Sequence, residues 1–156
     1  MKKFKKKNNK GFSLVELIVV IAIMAVLMGV LAPTLIGNIE KSRESKDLQN
    51  LDAIRQAVVT AMATEGVYAA VVPTTGSNAY SVNGRTLTGG TNAASLTTEF
   101  SKIITGDTSM TCAAAKASGN TLQVRINSDG AVEVGVYDAS GNVVSAPRNA
   151  VSMVSK

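Results

Sequence analysis

Between Lys10 and Glu40 the chain carries one charged side chain, Glu16. It stands at the start of a long apolar run, so its chemistry is that of a carboxylate in a poor solvent. Such a group must reach water, lose its charge, or find a cation. On insertion scales an acidic side chain costs about 2.5–3.5 kcal/mol at the centre of a membrane helix. Glu16 lies only four residues beyond Phe12, so snorkelling toward an interface lessens that cost. A positive partner becomes the better solution once several such helices pack in a dry bundle.

Little else in the chain is equipped for chemistry. It has no His, no Trp and one Cys. Without His there is no His-based triad, no HExxH zinc site, and few routes to zinc or haem. No Walker-type loop, GxGxxG or Asn-x-Ser/Thr sequon is present. A single cysteine cannot close an intrachain disulfide, so Cys112 is read as a small buried apolar side chain, with a free thiol as the other reading. Asp129 and Asp138 could offer oxygen ligands to calcium, but Asp in such positions ordinarily builds the turn itself. The expectation is a chain that is not an enzyme and holds no metal or other cofactor.

The elements that position Glu16 follow from charge and hydropathy. Of the 16 Lys/Arg residues, Lys2, Lys3, Lys5, Lys6, Lys7 and Lys10 lie in the first ten positions. The remaining 10 basic residues face 11 acidic ones, a net of −1. The formal +5 thus belongs to the amino-terminal leader, which argues against a general polyanion-binding body and leaves room only for a local basic patch. Residues 17–39 are uncharged and as a helix span roughly 35 Å, enough for a bilayer core of about 30 Å. Lysines before the span and balanced charges after it (Glu40, Lys41, Arg43, Glu44, Lys46, Asp47) put the amino terminus in the cytoplasm and residues 40–156 outside. An ordinary secretory signal has a shorter core of about 7–15 residues and a small-x-small cleavage site, which this run lacks.

Lys10-Gly11-Phe12-Ser13-Leu14-Val15-Glu16-Leu17-Ile18-Val19-Val20-Ile21-Ala22-Ile23 resembles the class III signal of type IV prepilins and related pseudopilins. The resemblance covers about 40 residues and implies cleavage between Gly11 and Phe12 by a prepilin peptidase on the cytoplasmic face. It also implies N-methylation of the new Phe12 amine, and neutralisation of a neighbouring subunit's amine by Glu16 during assembly. Glycine at position 11 suits a protease that must approach the backbone closely. Pro33, flanked by Gly29 and Gly37, cannot donate its helical hydrogen bond and marks a weak stretch over residues 29–37. A mild packing kink is one reading; by resemblance, local unwinding in a fibre is the other.

Beyond the span, Leu48, Leu51, Ile54, Val58 and Met62 recur at helical spacing, with Asp47 and other polar residues between them, and Gly66 caps the end. Residues 66–95 read as a loop-rich connector, followed by a short helix from a Ser95 cap to Ile104. Alternation over Leu122–Ile126 and Val132–Val136, joined by Asn127-Ser-Asp-Gly130, predicts a hairpin. A second turn at Asp138–Asn142 leads to a third strand near Val143–Ala146. The fold class is α+β: a long N-terminal helix packed on an antiparallel, mainly three-stranded sheet, as in the pilin fold. The divisions are a cleaved leader (1–11), a transmembrane and filament-core helix (12–39), and an extracellular head (40–156). The head comprises amphipathic helix 40–64, connector 66–121 and β-meander 122–146. Many pilins lock the last segment with a disulfide; here Pro147–Lys156 has no covalent anchor.

The expected role is structural: a pilin of a type IV pilus, held in the cytoplasmic membrane before assembly into a surface filament of the kind that serves motility and adhesion. Its expected partners are copies of itself, the prepilin peptidase, the assembly platform and ATPase, and minor pilins. Nucleic acid is a remote partner, since a near-neutral body steers it weakly. The alternatives are a pseudopilin of a type II secretion or DNA-uptake system and, more distantly, a membrane-anchored extracytoplasmic binding protein.

Overall fold

A computed structural model describes residues 11–156, so the leader lysines lie outside the described residues. The chain divides into two units, residues 1–38 and 39–156. Helix α1 (Leu14–Met62) begins in the first and supplies the first element of the second. In the first unit, every apolar side chain from Phe12 to Ile36 is exposed, and the helix there is long and apolar enough to cross a membrane. Gly29, Pro33 and Gly37 all lie within α1.

The second unit is built on the amphipathic part of α1. Leu51, Ile54, Ala57, Val58, Ala61 and Met62 form its buried stripe, while Leu48 is half-buried at the edge of the core. Removing each large aliphatic side chain from water is worth about 1.5–3 kcal/mol. After α1 come α2 (Val67–Val71), β1 (Ser77–Asn83), β2 (Thr86–Thr88), α3 (Ala93–Ile103), β3 (Thr121–Asn127) and β4 (Val132–Tyr137). Three short strands close the chain: β5 (Ser145–Ala146), β6 (Val151–Ser152) and β7 (Val154–Ser155). The main sheet is antiparallel with order β2-β1-β3-β4-β7, and β5 pairs with β6 separately. Val124 faces Val134 across β3 and β4, and Tyr80 faces Val124 across β1 and β3. These side chains, with Leu96 and Phe100 of α3, complete the core against α1.

The α+β class stands, with two amendments to its sheet. The connector contains a hairpin, β1–β2, turned by Gly84-Arg85 between the paired residues Asn83 and Thr86. Gly84 has φ +59°, the left-handed backbone that a two-residue hairpin loop takes at its first position. Second, the segment at 143–146 is not a full third strand of the meander. Val144 donates to the Val136 carbonyl at 2.8 Å, but Ser145 and Ala146 then leave to pair with β6, and Pro147 has no N–H with which to continue. The free edge of β4 is taken by β7 instead. Gly135 permits that approach, because a Cβ there would sit 2.9 Å from the Met153 carbonyl oxygen.

Both sequence-predicted turns are present. Ala131 donates to Asp129 Oδ1 at 3.0 Å, and Ser140 and Asn142 donate to Asp138 Oδ1 at 2.8 and 2.9 Å. These hydrogen bonds hold the Asp138 carboxyl below its ordinary range, the Asn142 amide contributing most. Helix α3 starts after Asn92, not at a Ser95 cap; the Asn92 side chain donates to the Ala70 carbonyl at 2.7 Å and ties α2 to α3.

Candidate functional site

The amino-terminal site is small. Residues 11–13 precede the helix, and Phe12 is 90% exposed. A Cβ built on Gly11 meets nothing within 4 Å among the described residues, so no packing within them calls for glycine there. Ser13-Leu14-Val15-Glu16 forms a reciprocal cap at the start of α1. The Ser13 N–H donates to Glu16 Oε2 at 2.8 Å, and the Val15 N–H donates to Ser13 Oγ at 3.4 Å. This is the Ser-x-x-Glu capping box, which satisfies helix-start donors and places a negative charge at the positive end of the helix dipole. The pattern was present in the sequence but gave way to the reading of Glu16 as a lone charge. Among the described residues no donor reaches Glu16 Oε1, so one carboxylate oxygen caps the helix while the other remains available.

A second constellation lies on the part of α1 that opens the head. Glu40, Glu44 and Asp47 share one helix face, and all three turn toward backbone N–H groups from distant loops. Glu44 is fully buried and accepts from Arg148 at 3.1 Å and Asn149 at 2.8 Å. Asp47, also fully buried, accepts from the Thr111 N–H at 2.8 Å, the Thr111 hydroxyl at 2.8 Å and the Cys112 N–H at 2.8 Å. Glu40 accepts from the Ala113 N–H, with the Arg43 guanidinium 3.4 Å away. The sequence reading placed Asp47 among the solvent-facing polar residues; it belongs to the buried face, one turn before Leu51. A buried carboxylate is tolerated when its lone pairs are filled, and here backbone amides fill most of them.

The clamp also explains how the final segment is held without a disulfide. Glu44 grips residues 148 and 149, Met153 is buried, β7 pairs with β4, and Lys156 Nζ lies 3.1 Å from Glu133 Oε1. Cys112 is buried, with its sulfur 3.8 Å from that of Met153 and accepting the Ala115 N–H at 3.4 Å. Burial pushes its thiol up to about 11, so it is a packed apolar group and a poor nucleophile near neutrality.

Residues 6–32 match the family model described as the prokaryotic N-terminal methylation motif. Prepilin peptidase-dependent protein A of Clostridium perfringens (strain 13 / Type A) is 37% identical over 67 residues, covering 42% of this chain and 48% of that protein. Type II secretion system core protein G of Aeromonas hydrophila is 36% identical over 53 residues, covering 34% of this chain and 37% of that protein. The chain therefore spans about half, or less, of the length of these curated relatives. No solved structure matches the chain significantly. The match falls on the segment that holds Gly11, Phe12 and Glu16, so the prokaryotic N-terminal methylation motif opens α1 in a chain whose remaining described residues form an α+β fold.

Proposed function

We propose that the chain is the structural subunit of a type IV pilus: cleaved between Gly11 and Phe12 by a prepilin peptidase, N-methylated at Phe12, and polymerised through α1. The observation that carries this reading is a half-helix whose whole apolar surface is exposed and whose one charge, Glu16, stands at its amino-terminal end. Such a surface needs lipid before assembly and other copies of the same helix after it. Cleavage adds water across the Gly11–Phe12 amide, leaving a carboxylate on the released leader's Gly11 and an ammonium group on Phe12, and replacing one N–H of that amine by methyl keeps it cationic. In a packed bundle Glu16 Oε1 then accepts this charge from a neighbouring subunit while Oε2 keeps its helix cap. Exposure of Phe12 and the open space about Gly11 suit a protease that binds the backbone in extended form. Pro33, with Gly29 and Gly37, supplies the stretch of α1 that unwinds in the fibre. The assembly platform, its ATPase and minor pilins complete the set of partners, and the chain's role is structural, not catalytic.

The similarity to core protein G favours one second reading, a pseudopilin of a secretion or DNA-uptake machine, which would use the same residues. Expression of the full chain with and without a prepilin peptidase separates these readings from that of a plain membrane anchor. With the peptidase the mature chain should begin at methylated Phe12, and its Glu16→Val variant should insert in the membrane yet yield few or no fibres. An unprocessed chain, or wild-type fibre yield from Glu16→Val, would overturn the roles assigned here. Fibres that elongate only with the secretion machine's own assembly proteins would move the assignment to the pseudopilin.

A further inference from the structure

In sequence, the charges that follow the apolar run cancel: Glu40, Glu44 and Asp47 against Lys41, Arg43 and Lys46. In the folded head they are sorted by direction. Glu44 and Asp47 are fully buried, and both point, as Glu40 does, at backbone N–H groups. Lys41, Arg43 and Lys46 are all exposed. Along α1 they lie within about 11 Å of Ile39, at a rise of about 1.5 Å per residue.

The carboxylate clamp adds two more cations to the same end of the head. By holding the Arg148 N–H, Glu44 fixes an exposed Arg beside the first turns of the head's helix. By holding Ala113, Thr111 and Cys112, Glu40 and Asp47 fix the turn that continues to exposed Lys116, whose own N–H donates to the Cys112 carbonyl at 3.2 Å. Nearby counter-charges are few: Glu40 faces Arg43, and Asp107 is close enough to Lys46 for that lysine to help lower its carboxyl. Five cations thus face outward; Glu44 and Asp47 face inward, while Glu40 and Asp107 each offset one cation, Arg43 and Lys46.

We infer that this end of the head is a docking surface for anionic lipid headgroups, on the leaflet from which the apolar half of α1 emerges. The occupant follows from position and charge. The cations begin two residues after the last uncharged residue of the span, at headgroup depth, and clustered Lys/Arg at that depth are drawn, within a Debye length, to whichever leaflet carries acidic lipid. The contact would seat the head against the membrane while the subunit waits for assembly, and extraction into a filament would break it. This inference rests on the reading that residues 17–39 occupy a bilayer.

The test uses the full chain in lipid nanodiscs, either of phosphatidylcholine alone or rich in phosphatidylglycerol, with amine-labelling rates read by mass spectrometry. Lys41, Lys46 and Lys116 should label about fivefold more slowly in the anionic discs, the factor matching the surface attraction of a single cation. Protection should vanish in ~1 M salt, where the screening length falls to about 3 Å. Lys102, which pairs with Glu99 on α3, serves as the internal reference. Equal rates in both lipids, with the chain co-eluting with the discs, would overturn the docking surface and leave the anchor intact. Failure to co-elute with either disc would overturn the anchor itself, and the docking surface with it. Protection extending equally to Lys102 would also count against a localised surface.

Discussion

Replacing Glu44 with alanine removes the grip on the carboxy-terminal segment, and the cost can be worked from the contacts. Two backbone N–H groups, those of Arg148 and Asn149, lose a charged acceptor at 3.1 and 2.8 Å. Hydrogen bonds to charged groups contribute about 1.5–3 kcal/mol each. Arg148 is exposed and Asn149 half-buried, so water can satisfy part of what is lost. The net expectation is about 2–4 kcal/mol, localised to the corner at 147–150, because Met153 and the β4–β7 pairing still hold the far end. Limited trypsin digestion reads this directly, since Arg148 is a cleavage site that becomes usable only when the corner opens. Where opening is fast relative to cutting, the rate follows the open population, so cleavage after Arg148 should rise about 30- to 700-fold. Cleavage after Arg85 and Lys102 should stay at the wild-type rate. Unchanged cutting at Arg148 would refute the clamp as the anchor of this segment, and a parallel rise at all sites would show that the variant had lost the whole head.

Two further outcomes follow from the core. Cys112 should resist iodoacetamide in the folded protein near neutral pH and react once denaturant is added. Its thiol is raised from 9.0 to about 11, so stability is unaffected below about 9 and falls as the pH climbs toward 11, where the unfolded chain ionises and the folded one does not. Alkaline unfolding of a Cys112→Ala variant should lack that component. Gly90→Ala should destabilise by about 2–4 kcal/mol in chemical denaturation, because φ is +61° and the new Cβ would strike the Tyr80 ring, which is fixed by its 2.7 Å hydrogen bond to the Thr91 carbonyl. A loss below about 0.5 kcal/mol would mean that the ring moves aside freely.

Local pattern made most of the fold legible. The uncharged run, the 48–51–54–58–62 stripe and the β3–β4 hairpin each declare themselves within a dozen residues, and all are present. The β1–β2 hairpin was also legible, since glycine at the first position of a two-residue loop is a strong local signal, but the surrounding Gly, Ser and Thr masked it as connector. The sheet edge at β7 was not, because two residues carry no periodicity and the pairing depends on a bare Gly135 far upstream. The carboxylate clamp was the least legible feature. Its donors are backbone amides 64 to 105 positions away, and an amide leaves no mark in the sequence. Glu44 and Asp47 look like any solvated helix charge until the loops are in place.

That clamp bears on how a chain with one cysteine holds two loops and a tail on a single helix. Removing a native disulfide from a small exported domain typically costs about 2–5 kcal/mol. The pair of charge-assisted bonds at Glu44 reaches a similar range, and Asp47, with three donor groups, supplies another of comparable size. The two solutions differ in what they require. A disulfide needs an oxidant and closes the chain covalently, whereas the clamp forms as the head folds and needs only that the carboxylates stay dry. It also has an electrostatic by-product that a disulfide lacks, because turning Glu44 and Asp47 inward leaves the neighbouring lysines and arginines as most of the outward-facing charge there. The residues that anchor the loops and tail thus alternate along α1 with the exposed cations Lys41, Arg43 and Lys46, so an E44A or D47N change should alter stability and, on the docking proposal, lipid contact together.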